Sequence, residues 1–248
     1  MRKTKLSVNV NKIATLRNSR GGNYPNVCDF AADIQEYGAD GITIHPRPDE
    51  RHIRYKDAYD LKNVVTTEFN IEGNPIEKFV SMVTDIKPTQ VTLVPDAMDA
   101  ITSNSGWDTN INKSMLKEVV GEFKSYGIRV SIFLDPDIQF IDSVCEINPD
   151  RIELYTEDYA REFSKKNFSA IENYSKCARE IAKAGIGINA GHDLNLKNIK
   201  TLTGKEWNGS LVFAIMKRNK QRVERLTRRN ENFAPEISKF EVRWERNW

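Results

Sequence analysis

The sequence is poor in cysteine and in long apolar runs. Its three cysteines, Cys28, Cys145 and Cys177, are odd in number and unclustered. This argues against a disulfide framework and a cysteine-based metal site, and it fits a reducing cytoplasm. No uninterrupted apolar stretch approaches the roughly 20 residues needed to cross a bilayer. The N-terminus also lacks the apolar centre of an export signal. We therefore expect a cytoplasmic protein with no membrane segment.

What the sequence does contain is a repeated alternation of strand and helix patterns up to about residue 204. Such alternation predicts parallel strands joined by right-handed crossovers. At 248 residues the chain has the length of one (β/α)8 barrel, so we predict an α/β fold of the TIM-barrel type with extra helices, as a single domain over 1–204. The predicted strands are Leu6–Val10, Gly41–His45, Thr67–Ile71, Gln90–Val94, Arg129–Leu134, Arg151–Tyr155 and Gly185–Ala190. Helical patterns lie near 27–37, 57–64, 75–86, 112–126, 137–145, 158–184 and 195–202.

Several of these strands end in residues that can do chemistry. Asn9, His45 and Glu72 each close an apolar, β-rich run. Barrels of this type build their active sites at the rim where the strands end. The surrounding clusters supply arginines, the residue type best suited to holding phosphate with two donors: Arg17, Arg20, Arg47 and Arg51. We therefore predict a site for small anionic substrates.

An acid–base set can be assembled from two histidines and two carboxylates. His45 is either a structural residue that caps its strand or a proton-transfer group, and Glu72 either pairs with an arginine or acts on substrate. Glu153 alternates with apolar neighbours, which points it into the barrel, where a carboxylate is costly unless it has a function. His192 follows Gly191 at the end of a strand. The same four residues could bind a divalent metal, but no local motif such as HxxxH supports that reading.

Two further polar segments are candidates for substrate contact. His52 lies in a charged loop, where plain surface exposure explains it equally well. Thr102 belongs to a hydroxyl-rich loop, DAITSNSGWD, that is either a lid over the barrel mouth or an ordinary connector.

Taken together, these motifs resemble those of the pyridoxine 5′-phosphate synthase family, which closes the ring in one route to vitamin B6. The matching segments follow the family's order and spacing over residues 6–196: NVNKIATLRNSRG, GADGITIHPRPDERHI, NIE, LVPD…TSNSGWD, RIELY and NAGHDL. The resemblance implies a (β/α)8 barrel that condenses 1-deoxy-D-xylulose 5-phosphate with 3-amino-2-oxopropyl phosphate. The products are pyridoxine 5′-phosphate, inorganic phosphate and water. It also implies a cytoplasmic homo-octamer that uses no organic cofactor. Because no local motif supports a metal site, we predict none.

The resemblance implies a role for individual residues only where they match. His45, Glu72 and His192 fall on the family's acid–base residues, and Glu153 falls on a residue that supports developing charge. Substrate-binding positions fall on Asn9, Arg20, Arg47, His52, Thr102 and Asp193. Many members carry Asp-His where this chain has Asn11 and Lys12, so we expect these two residues to contact substrate as a subgroup variation.

The segment 205–248 departs from the family pattern. It holds 11 Lys and Arg against 6 Asp and Glu, three of the four tryptophans and one of the 13 glycines. The family's Gly-His pair at the end of the eighth strand, whose backbone helps to bind one phosphate, is missing. The only candidate for an eighth strand is Leu211–Ile215. We hypothesise that the reading frame slipped after about Gly204, an idea that resequencing of the coding DNA tests, since an uninterrupted frame would refute it.

Three other functions stay open at this point. The chain is alternatively a catalytically impaired barrel that lacks the last phosphate-binding motif, or a metal-assisted phosphosugar isomerase or aldolase, which chelators would inactivate. A third alternative takes MKRNKQRVERLTRRN as a nucleic-acid-binding helix. Basic runs are usually solvated faces, so we expect no nucleic-acid partner.

Overall fold

The fold is a curved parallel sheet of seven strands with helices packed on its outer face. The computed structural model describes residues 5–96, 105–195 and 197–203, apart from the side chains at positions 20, 200 and 203. The strands are β1 (Ser7–Asn9), β2 (Gly41–Ile44), β3 (Glu68–Gly73), β4 (Gln90–Leu93), β5 (Arg129–Leu134), β6 (Arg151–Tyr155) and β7 (Gly187–Gly191). They pair in sequence order, every pair parallel, which confirms the predicted α/β fold of the TIM-barrel type. The predicted eighth strand at Leu211–Ile215, like the whole of 205–248, lies outside the described residues.

Nine α-helices connect or follow these strands in the described part of the chain. They are α1 (Asn11–Arg20), α2 (Val27–Glu36), α3 (Tyr55–Lys62), α4 (Glu77–Ile86), α5 (Lys113–Ser125), α6 (Ile141–Ile147), α7 (Glu157–Ser164), α8 (Ile171–Lys183) and α9 (Ile199–Thr203). Short 3-10 turns at Ile138–Phe140 and Phe168–Ala170 precede α6 and α8. The helices α5 and α8 are each followed by a glycine in the left-handed conformation, Gly127 and Gly185, with φ values of 77° and 75°. None of the described helices is long and apolar enough to cross a membrane.

The helix prediction needs correction at two places, one helix that is divided and one that was missed. The pattern over 158–184 predicts one helix, but the chain forms α7 and α8, because Lys166 takes the left-handed conformation (φ 64°) and ends the first of them. The polar segment that becomes α1 carried no helix prediction. Its buried side comprises Val10, Ala14 and Arg17, so one position of the stripe is an arginine and the apolar period is broken.

The hydrophobic core lies between the strands and the helices. Outward-facing strand residues such as Ile42, Ile71 and Ile132 are fully buried in one cluster with helix residues such as Leu61 and Phe123. Burial of such side chains, each contributing about 1.5–3 kcal/mol, stabilises the outer layer.

The inward face of the sheet is polar. Ser7 and Thr43 hydroxyls are 2.7 Å apart, and the Thr92 hydroxyl donates to the Asn70 side-chain oxygen at 3.0 Å. At the N-terminal end of the strands, Arg129 donates to Gln90 at 2.8 Å. These contacts satisfy the buried polar groups, so the inner layer is held by hydrogen bonds between neighbouring strands.

Candidate active site

The predicted catalytic residues converge at the carboxyl ends of the strands. Asn9 is the last residue of β1, His45 follows β2 directly, Glu72 is the penultimate residue of β3 and His192 follows β7 directly. Because the strands are parallel and curl around one axis, their carboxyl ends share one mouth. Electrostatic interactions of His45 with His192, and of Glu72 with Glu153, reach across this mouth. The expected clustering of these four residues is therefore present.

His45 is buried and held at its backbone. Its main-chain N–H donates to the side-chain oxygen of Asn11 at 2.8 Å. The main-chain N–H of Asn11 donates in turn to the side-chain oxygen of Asn9 at 2.8 Å. These two bonds tie the ends of β1 and β2 together. Burial, with the positive charge of Arg47 adding to it, lowers the pKa of His45 to about 3. The imidazole is thus neutral at neutral pH and can accept a proton during a reaction.

Glu72 and Glu153 form a pair of acids with raised pKa values. Desolvation and the negative charges of Glu153 and Asp96 raise the pKa of Glu72 well above its ordinary value. Burial raises the pKa of Glu153 to about 7, against the effect of a hydrogen bond from Asn189. Two carboxyl groups that resist ionisation near neutral pH can divide the roles of acid and base between them.

The inward direction predicted for Glu153 is confirmed by its neighbours on β7. A methyl group at Gly191 would lie 2.5 Å from the Glu153 carboxylate oxygen. Asn189, also on β7, lies opposite Glu153 in the strand register and is hydrogen-bonded to its side chain. The Glu153 side chain thus occupies the space that a side chain at Gly191 would need.

His192 stands in an unusual backbone conformation at the end of β7. Its φ is 83° and that of Asp193 is 55°, both in the left-handed region. The Thr156 hydroxyl donates to the His192 carbonyl at 2.6 Å and also contacts the Gly191 carbonyl, which fixes this turn. The ring packs against Phe133 and Tyr155 with centroids 5.0 Å away, although the residue as a whole remains exposed. Packing against these two rings desolvates the imidazole, which lowers the pKa of His192.

Arg47 and Asp96 form a buried ion pair beside His45. The Arg47 Nη1 lies 2.9 Å from the Asp96 Oδ2, and the His45 Nε2 lies 4.0 Å from the same oxygen. Both charged side chains are nearly inaccessible, at 3% and 6% exposure. Asp96 belongs to the matched LVPD segment but was not among the predicted site residues. Its sequence signal was its place three residues after the end of β4, beyond the apolar Leu93-Val94 pair.

Arg17 was predicted to bind phosphate, but its side chain has other partners. It is buried and makes a bidentate ion pair with Asp57, at 2.6 and 2.8 Å. It also donates to the His52 carbonyl at 3.2 Å, and Asn18 donates to that carbonyl at 2.8 Å. Since its donors serve these contacts, Arg17 holds the loop of His52 in place, which is a different task from the one predicted.

The remaining predicted residues are described to different extents. The ring of His52 lies 6.4 Å from that of His45, and burial lowers its pKa to about 4. Lys12 and Asp193 are exposed and close enough for Lys12 to oppose the raised pKa of Asp193. Arg20 ends α1, and Thr102 lies outside the described residues. Among the described residues, no group of three or more His, Cys, Asp or Glu side chains is arranged to hold a metal ion.

Comparison with known proteins supports both the fold and the family resemblance. The sequence profile described as "Pyridoxal phosphate biosynthesis protein PdxJ" matches residues 6–207. A pyridoxine 5′-phosphate synthase of Christiangramia forsetii is 61% identical over 196 residues, which cover 79% of this chain and 83% of that protein. The protein of the same name in Cytophaga hutchinsonii is 57% identical over 199 residues, covering 80% of this chain and 84% of that protein.

A likeness among solved structures extends to the fold alone. A FabK mutant (M276A) from Thermotoga maritima superposes with a TM-score of 0.51 at 13% identity. The match covers 86% of this chain but spans only 61% of that one.

Proposed function

Because the chain belongs to the PdxJ family of pyridoxal phosphate biosynthesis proteins, we propose that it is a pyridoxine 5′-phosphate synthase that works by acid–base catalysis. Its substrates are 1-deoxy-D-xylulose 5-phosphate and 3-amino-2-oxopropyl phosphate, as the family resemblance implies. The observation that carries the proposal is the meeting of two histidines and two carboxylates of shifted pKa at one barrel mouth, in a chain that is 61% identical to one such synthase.

The reaction is a series of proton transfers. An amine and a ketone form an imine with loss of water, phosphate leaves, water adds and departs, and the ring closes and becomes aromatic. Each step moves a proton to or from carbon, nitrogen or oxygen, and a positioned acid or base accelerates such a step by about 10²–10⁴-fold. The site needs several groups that change protonation near neutral pH.

The described side chains suit these steps. Neutral His45 accepts protons, since its lowered pKa keeps it unprotonated at rest. Glu72 and Glu153 retain a proton near neutral pH between them, so one acts as an acid while the other acts as a base. Desolvation also lowers the pKa of His192, after β7, which favours its neutral form at neutral pH.

The basic side chains are assigned to the two phosphorylated substrates. Arg47, with Lys12 at the start of α1, brings positive charge to the mouth, and Asn9 and His52 provide neutral hydrogen-bonding groups. Arg20, Asp193 and Thr102 complete the substrate-binding set by the family resemblance. Holding two dianions in register lowers the barrier by converting a bimolecular step into an intramolecular one.

Product formation from both phosphorylated substrates tests this function. Purified full-length protein is mixed with both compounds, with and without chelator, and pyridoxine 5′-phosphate is quantified. We expect product in both conditions and a loss of about 10²–10⁴-fold in kcat for His45→Asn and Glu72→Gln. Inactivation by chelator would favour the metal-assisted isomerase or aldolase. Absence of product from a folded protein would favour the impaired barrel.

We also propose that the protein acts in the cytoplasm as a homo-octamer. The family resemblance and the three unclustered cysteines support this proposal. Fractionation of cells tests the location, and the native mass, treated below, tests the assembly.

A further inference from the structure

We propose that Asp96 is a positioning residue of this active site, which holds Arg47 toward the substrate and serves as the counterion of His45 when that imidazole takes up a proton. The inference rests on the proposed function and extends it to a residue outside the predicted set. It is carried by the geometry around one carboxylate.

Three contacts converge on Asp96. Arg47 donates to its Oδ2 at 2.9 Å, and the His45 Nε2 is 4.0 Å from the same atom. Asn74, in the loop after β3, donates to the Asp96 main-chain carbonyl at 3.1 Å and so ties the end of β4 to the end of β3. Asp96 therefore links the ends of three consecutive strands.

Burial makes these contacts strong. The Asp96 and Arg47 side chains are 6% and 3% exposed, so solvent screens their attraction weakly. A charge-assisted hydrogen bond of 2.9 Å also fixes the direction of the guanidinium group. Without the Asp96 carboxylate as acceptor, the Arg47 side chain would populate other rotamers, including those that face away from the mouth.

The negative charge has a second consequence for His45. Arg47, His52 and His192 oppose protonation of the imidazole, and the exposed Asp49 favours it. A buried anion stabilises a proton taken from substrate more effectively, and Asp96 lies 4.0 Å from the His45 Nε2. Stabilisation of a transient imidazolium by a buried carboxylate accelerates the transfer without altering substrate affinity.

The two tasks are separated by a set of variants at position 96. Asp96→Asn keeps an oxygen that accepts from Arg47 but removes the charge, so we expect KM within about threefold of wild type and kcat reduced about 10²-fold. Asp96→Ala removes both, so we expect the same loss in kcat and a rise in KM of about tenfold or more. Asp96→Glu restores the charge and should recover part of the lost kcat.

Glu146 in α6 provides a control away from the mouth. It is a carboxylate that is 56% exposed and paired with Lys113. Glu146→Gln should leave kcat and KM within about twofold of wild type, because exposed ion pairs contribute little. An Asp96→Asn variant with wild-type kcat would overturn the counterion role. An unchanged KM in Asp96→Ala would overturn the role in holding Arg47.

The pH profile provides a readout that mere loss of packing would not move. The carboxylates of Asp96 and Glu153 face Glu72 and raise its pKa. Removing the charge of Asp96 lowers the pKa of Glu72, so the acid limb of kcat/KM should move to lower pH in Asp96→Asn. An unmoved limb would contradict the proposal.

A measurement independent of turnover separates this proposal from the proposed function. The chain has only three histidines, so their NMR signals can be assigned by single substitutions. Asp96 and Glu157 both raise the pKa of His192 against the effect of desolvation. In Asp96→Asn the His192 signal should titrate at lower pH than in wild type, and in Glu146→Gln it should not move. If wild type makes no product, the synthase assignment fails, while this titration still decides whether Asp96 faces the shared mouth.

Discussion

At the scale of single residues, the carboxyl pair of Glu72 and Glu153 gives the protein a specific pH response. Folding raises the pKa of Glu153 from 4.5 to about 7, so the folded state binds its proton more tightly than the unfolded state does. The resulting stabilisation is complete below pH 4.5 and is lost as the pH rises through 7. At neutral pH and above, ionisation of the buried Glu153 carboxyl group is therefore a cost to the stability of the folded protein.

Replacing Glu153 with Gln should remove that cost. Between pH 4.5 and pH 8 we expect the free energy of unfolding of Glu153→Gln to rise relative to wild type by about 3 kcal/mol, from the shift in pKa. Urea unfolding at the two pH values, at equal protein concentration, measures this difference. The exposed Glu146 is the control, because its pKa is lowered by Lys113 and Glu146→Gln should show no such gain. A constant difference across pH would contradict the prediction.

The sequence was informative about residues whose chemistry is visible in their own type. His45, Glu72, Glu153 and His192 were identified because a titratable side chain interrupts or ends an apolar run, and they do meet at one mouth. Asp96 was not identified, because its importance comes from a partner 49 positions earlier in the chain, Arg47. Arg17 was assigned to phosphate for the same reason: its type was visible, and its partner Asp57 was not.

At the scale of elements, β7 owes part of its role to the absence of a side chain at Gly191. We expect Gly191→Ala to displace the Glu153 carboxylate, which lies 2.5 Å from the added methyl group, and to lower kcat/KM by about 10–10²-fold. Enzyme kinetics on the purified variant measures this loss.

Gly121 in α5 is the matched control for that substitution. A methyl group there meets no atom within 4 Å. Gly121→Ala should leave activity unchanged and raise the free energy of unfolding by about 0.5–1 kcal/mol, because alanine loses less backbone entropy in a helix. Wild-type activity in Gly191→Ala would show that Glu153 has room to move.

The contact between α1 and α3 depends on one buried ion pair. Arg17→Met leaves the Asp57 carboxylate buried without its partner, which should lower the free energy of unfolding by about 3–5 kcal/mol. Lys56→Met breaks an exposed pair with Asp60 on the same helix and should cost far less. Denaturant unfolding of both variants makes the comparison, and equal losses would contradict it.

Helices were predictable where an apolar stripe marks them. The patterns over 75–86 and 112–126 correspond closely to α4 and α5, which bury Phe79 and Phe123 respectively. The helix α1 escaped because Arg17 occupies its buried side, and the break between α7 and α8 escaped because a lysine, Lys166, takes a conformation that usually signals glycine. For α1 a tertiary contact, the ion pair with Asp57, overrides the local pattern.

At the scale of the whole molecule, the described strands β1 to β7 reproduce the predicted order and direction, and β1 and β7 are the outer strands of the described sheet. Strand order follows from the βα repeat, because each crossover places the next strand beside the last. Which strand faces meet in the barrel interior was predictable only at Glu153, where a charged residue alternates with apolar ones.

The native mass tests the proposed assembly. We expect light scattering coupled to size exclusion to give a mass near eight copies of the 28.5 kDa chain. The ratio should not fall on dilution through the micromolar range, since obligate interfaces are large and apolar. A monomeric mass with full activity would show that the site is complete within one chain.

The polar inner face of the sheet has a consequence for how this scaffold can evolve. Its apolar shell lies where strands meet helices, while the polar residues that lead to the site lie on the opposite side of the same strands. Substitutions of inner-face residues near the carboxyl ends of the strands can alter the site without disturbing the apolar shell. The alternation of side chains along a strand thus separates two selective pressures that most proteins must satisfy with the same residues, and lets new specificities arise on an intact frame.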